Sequence, residues 1–302
     1  MSDIRSSIGG QAVIEGVMMR SPTHYATAVR TPQGRIVIQK IPFRSIIRRL
    51  RFLNIPVIRG AITLIETMYI GVQSLTYSAT QASEEDHTQK QKGKFGTWLA
   101  LTGSVVVALG LGFALFFYAP LLLTDLLGVQ SGVVFNLIDG LFRLAIFLLY
   151  IFAISRWNEM NRIFQYHGAE HMTIYAFEAG GDLSTETARS QPRLHPRCGT
   201  SFLIVVMMVS IVVFIFMGKP ETVSDRLLRF AMIPLIAGIS FEFIKLSAKE
   251  RFGRMFKPAI WPGLALQRIT TQPPSDDMLE VAIAALEACL DHQAVKLQIP
   301  AS

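Results

Sequence analysis

Charged residues are scarce in this chain, 17% of 302, while hydrophobic residues reach 51% and the mean hydropathy is +0.39. Ordinary soluble domains carry about 25% charge. The shortage excludes a disordered chain, a coiled coil and an ordinary soluble enzyme. Cysteine is almost missing: Cys198 and Cys289 are the two present, so there is no disulfide framework. The 22 glycines and 14 prolines show no period, which removes collagen-like and low-complexity classes. There is no nucleotide-binding loop and no Ser-His-Asp pattern. The N-terminus has no short apolar core, so no cleavable signal peptide is expected.

What is present is long apolar runs and a net charge of +7. In an apolar chain such an excess means basic loops beside a membrane, and no nucleic-acid partner is expected. A membrane span needs about 20 apolar residues. Four runs qualify: Trp98–Leu122, Val133–Ile154, Cys198–Met217 and Leu227–Leu246. Asp139 and Arg143, four apart in the second, share a helix face and can pair. The fourth holds Pro234, Gly238 and Glu242, the last near Lys245. Segments alternating across these spans carry 25 Lys and Arg on one side and 3 on the other. The positive-inside rule then places both termini and the Ser155–Arg197 loop in the cytoplasm, a reducing side that suits lone cysteines.

The soluble parts divide in turn. Residues 1–45 read as a β-like region, with a hairpin of Tyr25–Arg30 and Arg35–Ile41 around Thr31-Pro-Gln-Gly34. Gly9-Gly10 precedes a short apolar run containing Glu15, read as a paired strand carboxylate. Residues 46–97 hold amphipathic helices, basic at Arg44, Arg48, Arg49 and Arg51, suited to the membrane interface. A polar linker follows from Ser83 to Gly96. Transmembrane hairpins occupy 98–154 and 198–246, with a cytoplasmic loop at 155–197 between them. In 247–302, Lys249–Lys257 and Trp261 mix basic and aromatic residues at headgroup level. Asp277-Met-Leu-Glu280 then reads as a capping box opening an amphipathic helix through Leu290. His24 and His87 read as ordinary loop residues.

The sharpest chemical pattern is His167-Gly-Ala-Glu-His171. Two histidines four apart face one side of a helix and can share a metal. The H-x-x-E-H order is that of the inverted zinc-hydrolase motif, in which the glutamate is general base towards water at the metal. A second cluster, His195-Pro-Arg-Cys198, offers two more zinc-type ligands at the mouth of the third span. The loop between the clusters begins and ends at one membrane face, so its ends can meet. Glu178 lies seven residues beyond His171, about 10 Å along a helix, too far for the same ion; it is a neighbour or a ligand of a second metal. Gly180-Gly181 ends that helix. Four protein ligands would make a closed structural site; three and a water, with Glu170 near, a catalytic one. The bland readings are hydrogen-bonded loop histidines, a packing cysteine and a capping His195.

Taken together, the motifs resemble a bacterial family known as domain of unknown function 1385 (YqhQ-like). The resemblance rests on Gly9-Gly-Gln-Ala-Val-Ile-Glu-Gly-Val-Met-Met-Arg20, His167-Gly-Ala-Glu-His171, His195-Pro-Arg-Cys-Gly-Thr-Ser-Phe-Leu203 and Ala237-Gly-Ile-Ser-Phe-Glu242. Towards the end it continues in Pro262-Gly263, Leu266-Gln267, Thr270-Thr271 and Met278–Leu286. It implies an integral membrane protein with an expected metal site, without a substrate. Met172 stands where the family commonly has Lys, and Gln272-Pro273 where it has a basic-acidic pair. The first departure removes a cation that would hold an anionic substrate beside a metal.

The expectation is therefore an α-helical integral membrane protein of four spans with a small N-terminal hairpin region, in the bacterial inner membrane. His167, His171, His195 and Cys198 are the expected ligands of a divalent metal, zinc by its His/Cys donor set, with Glu170 as base and Glu15 as a further contributor. The expected activity is hydrolysis of a membrane-protein or lipid-linked substrate, with the lipid bilayer and a second copy of the chain as partners. The rivals are a scaffold protein with a structural metal, and a transporter with Asp139, Arg143 and Glu242 along its path.

Overall fold

The computed structural model describes residues 8–83, 103, 106–108, 110–180, 182–247 and 250–290. It is mostly helical and divides into two compact units: residues 1–84, 154–205 and 237–302 form the first, and residues 85–153 and 206–236 the second. The Ser83–Gly96 linker beyond Ser83, His87, the start of the first expected span, Gly181, Lys249 and everything past Leu290 lie outside the described residues.

The first unit is built on a four-stranded antiparallel meander, β1 (Gly9–Val13), β2 (Gly16–Arg20), β3 (His24–Arg30) and β4 (Ile36–Pro42), in sequential order. The hairpin expected at residues 25–41 is β3–β4. The run around Glu15 folds into a second hairpin whose two-residue turn, Ile14-Glu15, carries Glu15 in the left-handed region at φ 51°. The alternation of the strands sends residues to two buried faces. Met19, Val17, Ala26 and Ala28 meet the helices α5 (Asn158–Ala179) and α11 (Asp276–Cys289), whose Tyr166, Ala169, Leu279, Ala282 and Leu286 fill one core. Val13, Met18 and Tyr25 form another with Ile70 of α2 (Ile58–Ala82). A short helix α1 (Ile46–Arg49) and a 3-10 turn precede α2, so the helical stretch expected at 46–82 is interrupted.

Helix α2 is amphipathic in reverse. Apart from Ile70, the side turned to the sheet is small or polar: Gly71 against Gln11, Ser74 bonded by Thr27, and Ser78 accepting from the Ile14 N–H. Its outer side carries Ile65, Met68, Tyr69, Val72 and Leu75, all exposed. From Gly60 to Ser83 the one charged residue is Glu66, and that is buried beside Arg20.

Four helices are long and apolar enough to cross a membrane: α3 (Val106–Leu126), α4 (Gly132–Ile154), α7 (Gly199–Met217) and the run Val223–Ser247. The last is divided at Met232, two residues ahead of Pro234, into α8 (Val223–Ala231) and α9 (Ile233–Ser247). Proline has no backbone N–H to donate to the preceding turn. Asp139 and Arg143 of α4 pair at 2.9 Å, as their spacing predicts. Glu242 does not pair with Lys245. It meets Arg59 of α2, where Gly60 and Gly238 let the two backbones approach: a Cβ on Gly60 would stand 2.9 Å from Gly238.

A short helix α6 (Thr185–Arg189) and a long one, α10 (Glu250–Thr270), which holds Pro258 and Pro262, complete the first unit. The expected capping box at Asp277 is not formed. The helix starts one residue earlier with Ser275 at the N-cap, which makes no side-chain cap bond. Glu280 is engaged elsewhere, at 3.0 Å from Arg30, which also donates to the Asp277 carbonyl.

Candidate metal centre

Helix α5 carries His167, Glu170 and His171. From Phe164 to Ala176 nearly every side chain is buried although the sequence there is only weakly apolar. A polar helix can be buried when its polar groups find partners, and these do. Gly168, inside the motif, is where the chain after α10 crosses: a Cβ would meet the Gln272 carbonyl at 2.2 Å. The Gln272 N–H donates to the Phe164 carbonyl at 2.8 Å. This crossing brings the Thr270 carbonyl to within 2.7 Å of His167 Nδ1. His171 Nδ1 meets the Arg193 carbonyl at 2.5 Å.

A carbonyl only accepts, so both Nδ1 atoms carry the proton and both neutral rings keep their Nε2 lone pairs for the interior. These nitrogens meet Cys198. His167 Nε2 lies 3.2 Å from Cys198 Sγ, and the donor atoms of His167, His171 and Cys198 all fall within 4.8 Å of one another. Burial holds the His171 pKa below its ordinary value, opposed by the Cys198 contact. A buried neutral imidazole is the form a metal takes. The donor chemistry suits a zinc-type ion, and one spacing, the 3.2 Å from His167 Nε2 to Cys198 Sγ, comes near what such an ion needs. Bond lengths near 2.0 Å to nitrogen and 2.3 Å to sulfur separate tetrahedral donors by roughly 3.3–3.6 Å. Carbonyl-anchored Nδ1 atoms are also the usual outer shell of metal-binding histidines.

His195 stands beside this group, outside it. Its ring is 5.6 Å from that of His171, and its Nδ1 accepts the Arg197 N–H at 3.2 Å. That fixes the proton on Nε2, 3.8 Å from Glu178, so no lone pair faces the sulfur. Glu178 also holds the Arg197 guanidinium. It therefore anchors the loop that carries Cys198.

Glu170 is buried against β1. A Cβ on Gly10 would come 2.8 Å from its Oε1, so the glycine makes the room the carboxyl occupies. Burial pushes the Glu170 pKa up, opposed by the nearby His167 and His195. Glu15 pairs with Arg162, one turn before the motif, and takes a 3.4 Å hydrogen bond from the Tyr166 hydroxyl. Burial drives that phenol well above its usual range.

Several residues that build the site carry no ligand pattern. Gln267 of α10 accepts the His195 N–H at 2.7 Å and donates to the His195 carbonyl and the Ser201 hydroxyl, clamping the Cys198 loop. Gly263 admits Ser201 at 2.7 Å from a would-be Cβ. Gly168 and Gly10 sit within motifs, and their close contacts are the signal that could have found them. The Thr270 and Arg193 carbonyls are backbone and leave no trace in a sequence.

The family model described as Protein of unknown function (DUF1385) matches residues 55–292. A Bacillus subtilis (strain 168) protein, "Uncharacterized protein YqhQ", is 34% identical over 299 residues, covering 96% of this chain and 94% of that one. No solved structure matches the chain. A match over most of the length, both to the family model and to a full-length relative, establishes that this chain belongs to the YqhQ-like DUF1385 family.

Proposed function

We propose that the protein is a metal-dependent hydrolase of the bacterial inner membrane, working on a membrane-protein or lipid-linked substrate at the cytoplasmic face. The observation that carries the reading is the convergence of three electron-pair donors, His167 Nε2, His171 and Cys198 Sγ, with both Nδ1 atoms already committed to carbonyls. Three protein donors rather than four is the count of a catalytic site. His167, His171 and Cys198 would hold the ion, and zinc suits the nitrogen and sulfur set. Bound there, it would supply Lewis acidity to a substrate carbonyl or phosphoryl oxygen.

The chain's own part is proton handling and exclusion of solvent. Glu170 sits beside His167 and His195, and burial raises its proton affinity towards the range a general base needs. Its Oε atoms would take the proton of the attacking water and return it to the leaving group. His195, oriented by Arg197 and Glu178, donates from Nε2 and keeps the Cys198 loop in place. The bilayer is the proposed partner of α2, whose charge-free outer face suits lipid, and the basic loop count supports the reading of cytoplasmic termini.

The test is elemental mass spectrometry on detergent-purified protein. One equivalent of zinc is expected in wild type and none in His167→Ala/His171→Ala. No metal in folded wild type, even after reconstitution with zinc, overturns the reading. Glu170→Gln separates catalysis from a structural metal in a scaffold. A base is required for function but not for metal content; a scaffold should tolerate the change in both.

A further inference from the structure

The second unit holds a polar centre that the metal reading leaves unused. Asp139 of α4 and Arg229 of α8 are buried among apolar helices, each to 1% exposure, and Arg143 of α4 lies half-buried beside them. Arg143 pairs with Asp139. Arg229 finds only neutral partners: its Nη2 donates to Asn136 Oδ1 at 2.7 Å and to the Gly218 carbonyl at 2.6 Å. The two guanidiniums converge on one ring, Arg143 lying 5.3 Å and Arg229 4.9 Å from the centroid of Phe214. Among the inward-facing groups one carboxylate therefore faces two guanidiniums; Asp225, at the start of α8, also acts on Arg229 and is opposed there by Arg226.

Three buried polar atoms in this centre have no hydrogen-bond partner among the described residues: Arg143 Nε, Arg229 Nη1 and Asp139 Oδ1. Two are donors and one is an acceptor. An uncompensated cation in an apolar interior costs several kcal/mol, and each orphaned polar group adds about 1–3. A water would quiet the orphans but not the charge. Chloride would cancel the charge and take both donors, but it has no proton for Asp139. A singly charged oxyanion that still carries one proton answers all three atoms and the charge together.

We propose that the Arg143–Asp139–Arg229 centre binds such an oxyanion, the chemistry of a phosphate monoester or of bicarbonate. Asn136, Asp139 and Arg143 fall at i, i+3 and i+7 on one face of α4, so they form a polar stripe about 10 Å long. Arg229 stands at its outer end and bridges Asn136 to Gly218, just after α7. The ligand would enter from that end of the helices, either as a soluble ion or as the phosphate of a lipid headgroup.

The experiment is thermal unfolding of the full chain in dodecyl maltoside at constant ionic strength, with sodium methanesulfonate as baseline. Sodium phosphate and bicarbonate test the soluble source. Phosphatidic acid at a few mole per cent of the micelle tests the lipid source. The expected result is a saturable rise in Tm with at least one of these and a smaller one with chloride. The response should vanish in Arg229→Gln and weaken in Arg143→Gln. Asp139→Asn removes the proton acceptor, so chloride should then stabilise as well as the oxyanion does. If wild type shows no anion response, the site holds water alone and the proposal falls, whatever the variants do. A response that survives in Arg229→Gln overturns it as well.

Discussion

At the His167–His171–Cys198 group of the first unit, both outward ring nitrogens end on backbone carbonyls, so what faces inward is electron pairs. At the Arg143–Asp139–Arg229 centre of the second, what is left over is mostly N–H. Both clusters are buried and built on long helices, yet their demands are opposite in sign. The first is poor in protons and suits a cation; the second is rich in them and suits an anion. The difference shows that burial alone does not tell what a polar cluster is for. The count of unused donors and acceptors does.

The contrast breaks most sharply at the donors. His167→Ala/His171→Ala should remove metal entirely, and zinc should then no longer raise the Tm. Added zinc that still stabilises the double variant would mean the inward electron pairs do not form the site.

Removing the inward carboxylate of the second centre should cost about 3–5 kcal/mol, since Arg143 and Arg229 then lose the charge they share. Asp139→Leu should accordingly be much less stable in denaturant titration than Asp139→Leu/Arg143→Leu, which deletes the pair together. Equal loss in both would remove the imbalance from the argument.

Gly168→Ala sharpens the first side. Its Cβ would lie 2.2 Å from the Gln272 carbonyl, so the crossing chain must shift. Overpacking of this kind costs about 1–3 kcal/mol. The shift should also carry the Thr270 carbonyl off His167, so zinc affinity should drop along with Tm. A fall in Tm without loss of zinc would show that the carbonyl does not orient the ring.

The smallest effect concerns Glu170 and has the unusual sign. Its folded pKa is raised above the ordinary glutamate value of 4.5. A raised acid contributes stability below the unfolded pKa and loses it as pH climbs through the folded one. Metal-free Glu170→Gln should therefore match wild type near pH 4.5 and melt higher above it, the gap widening until the folded pKa is passed. The histidine contributions run the other way, since His171 and His195 are held below 6.5 and lose stability as pH falls; Glu170 opposes the lowering at His195, so that loss is larger in the variant. A Gln variant that melts lower at neutral pH would show the carboxylate to be satisfied.

Composition and spacing determined a good deal. Long apolar runs with few charges leave few choices beside apolar helices, and four helices long and apolar enough to cross a membrane are present. Pro and Gly between two alternating runs made the β3–β4 hairpin legible. A spacing of four put His167 with His171, and Asp139 with Arg143, because helix geometry alone brings those positions together. Tertiary structure decided the rest. It paired Glu242 with Arg59, 183 positions away, instead of with Lys245, three away. It turned His195 aside by one backbone N–H from Arg197 and kept Cys198 in the group. It matched Gly10 to Glu170 and Gly168 to Gln272, contacts between segments whose meeting no local period encodes. Periodicity reports which side of its own element a residue occupies. Which group it meets there, and which of its lone pairs or protons remain unused, depends on the other segments packed against that side.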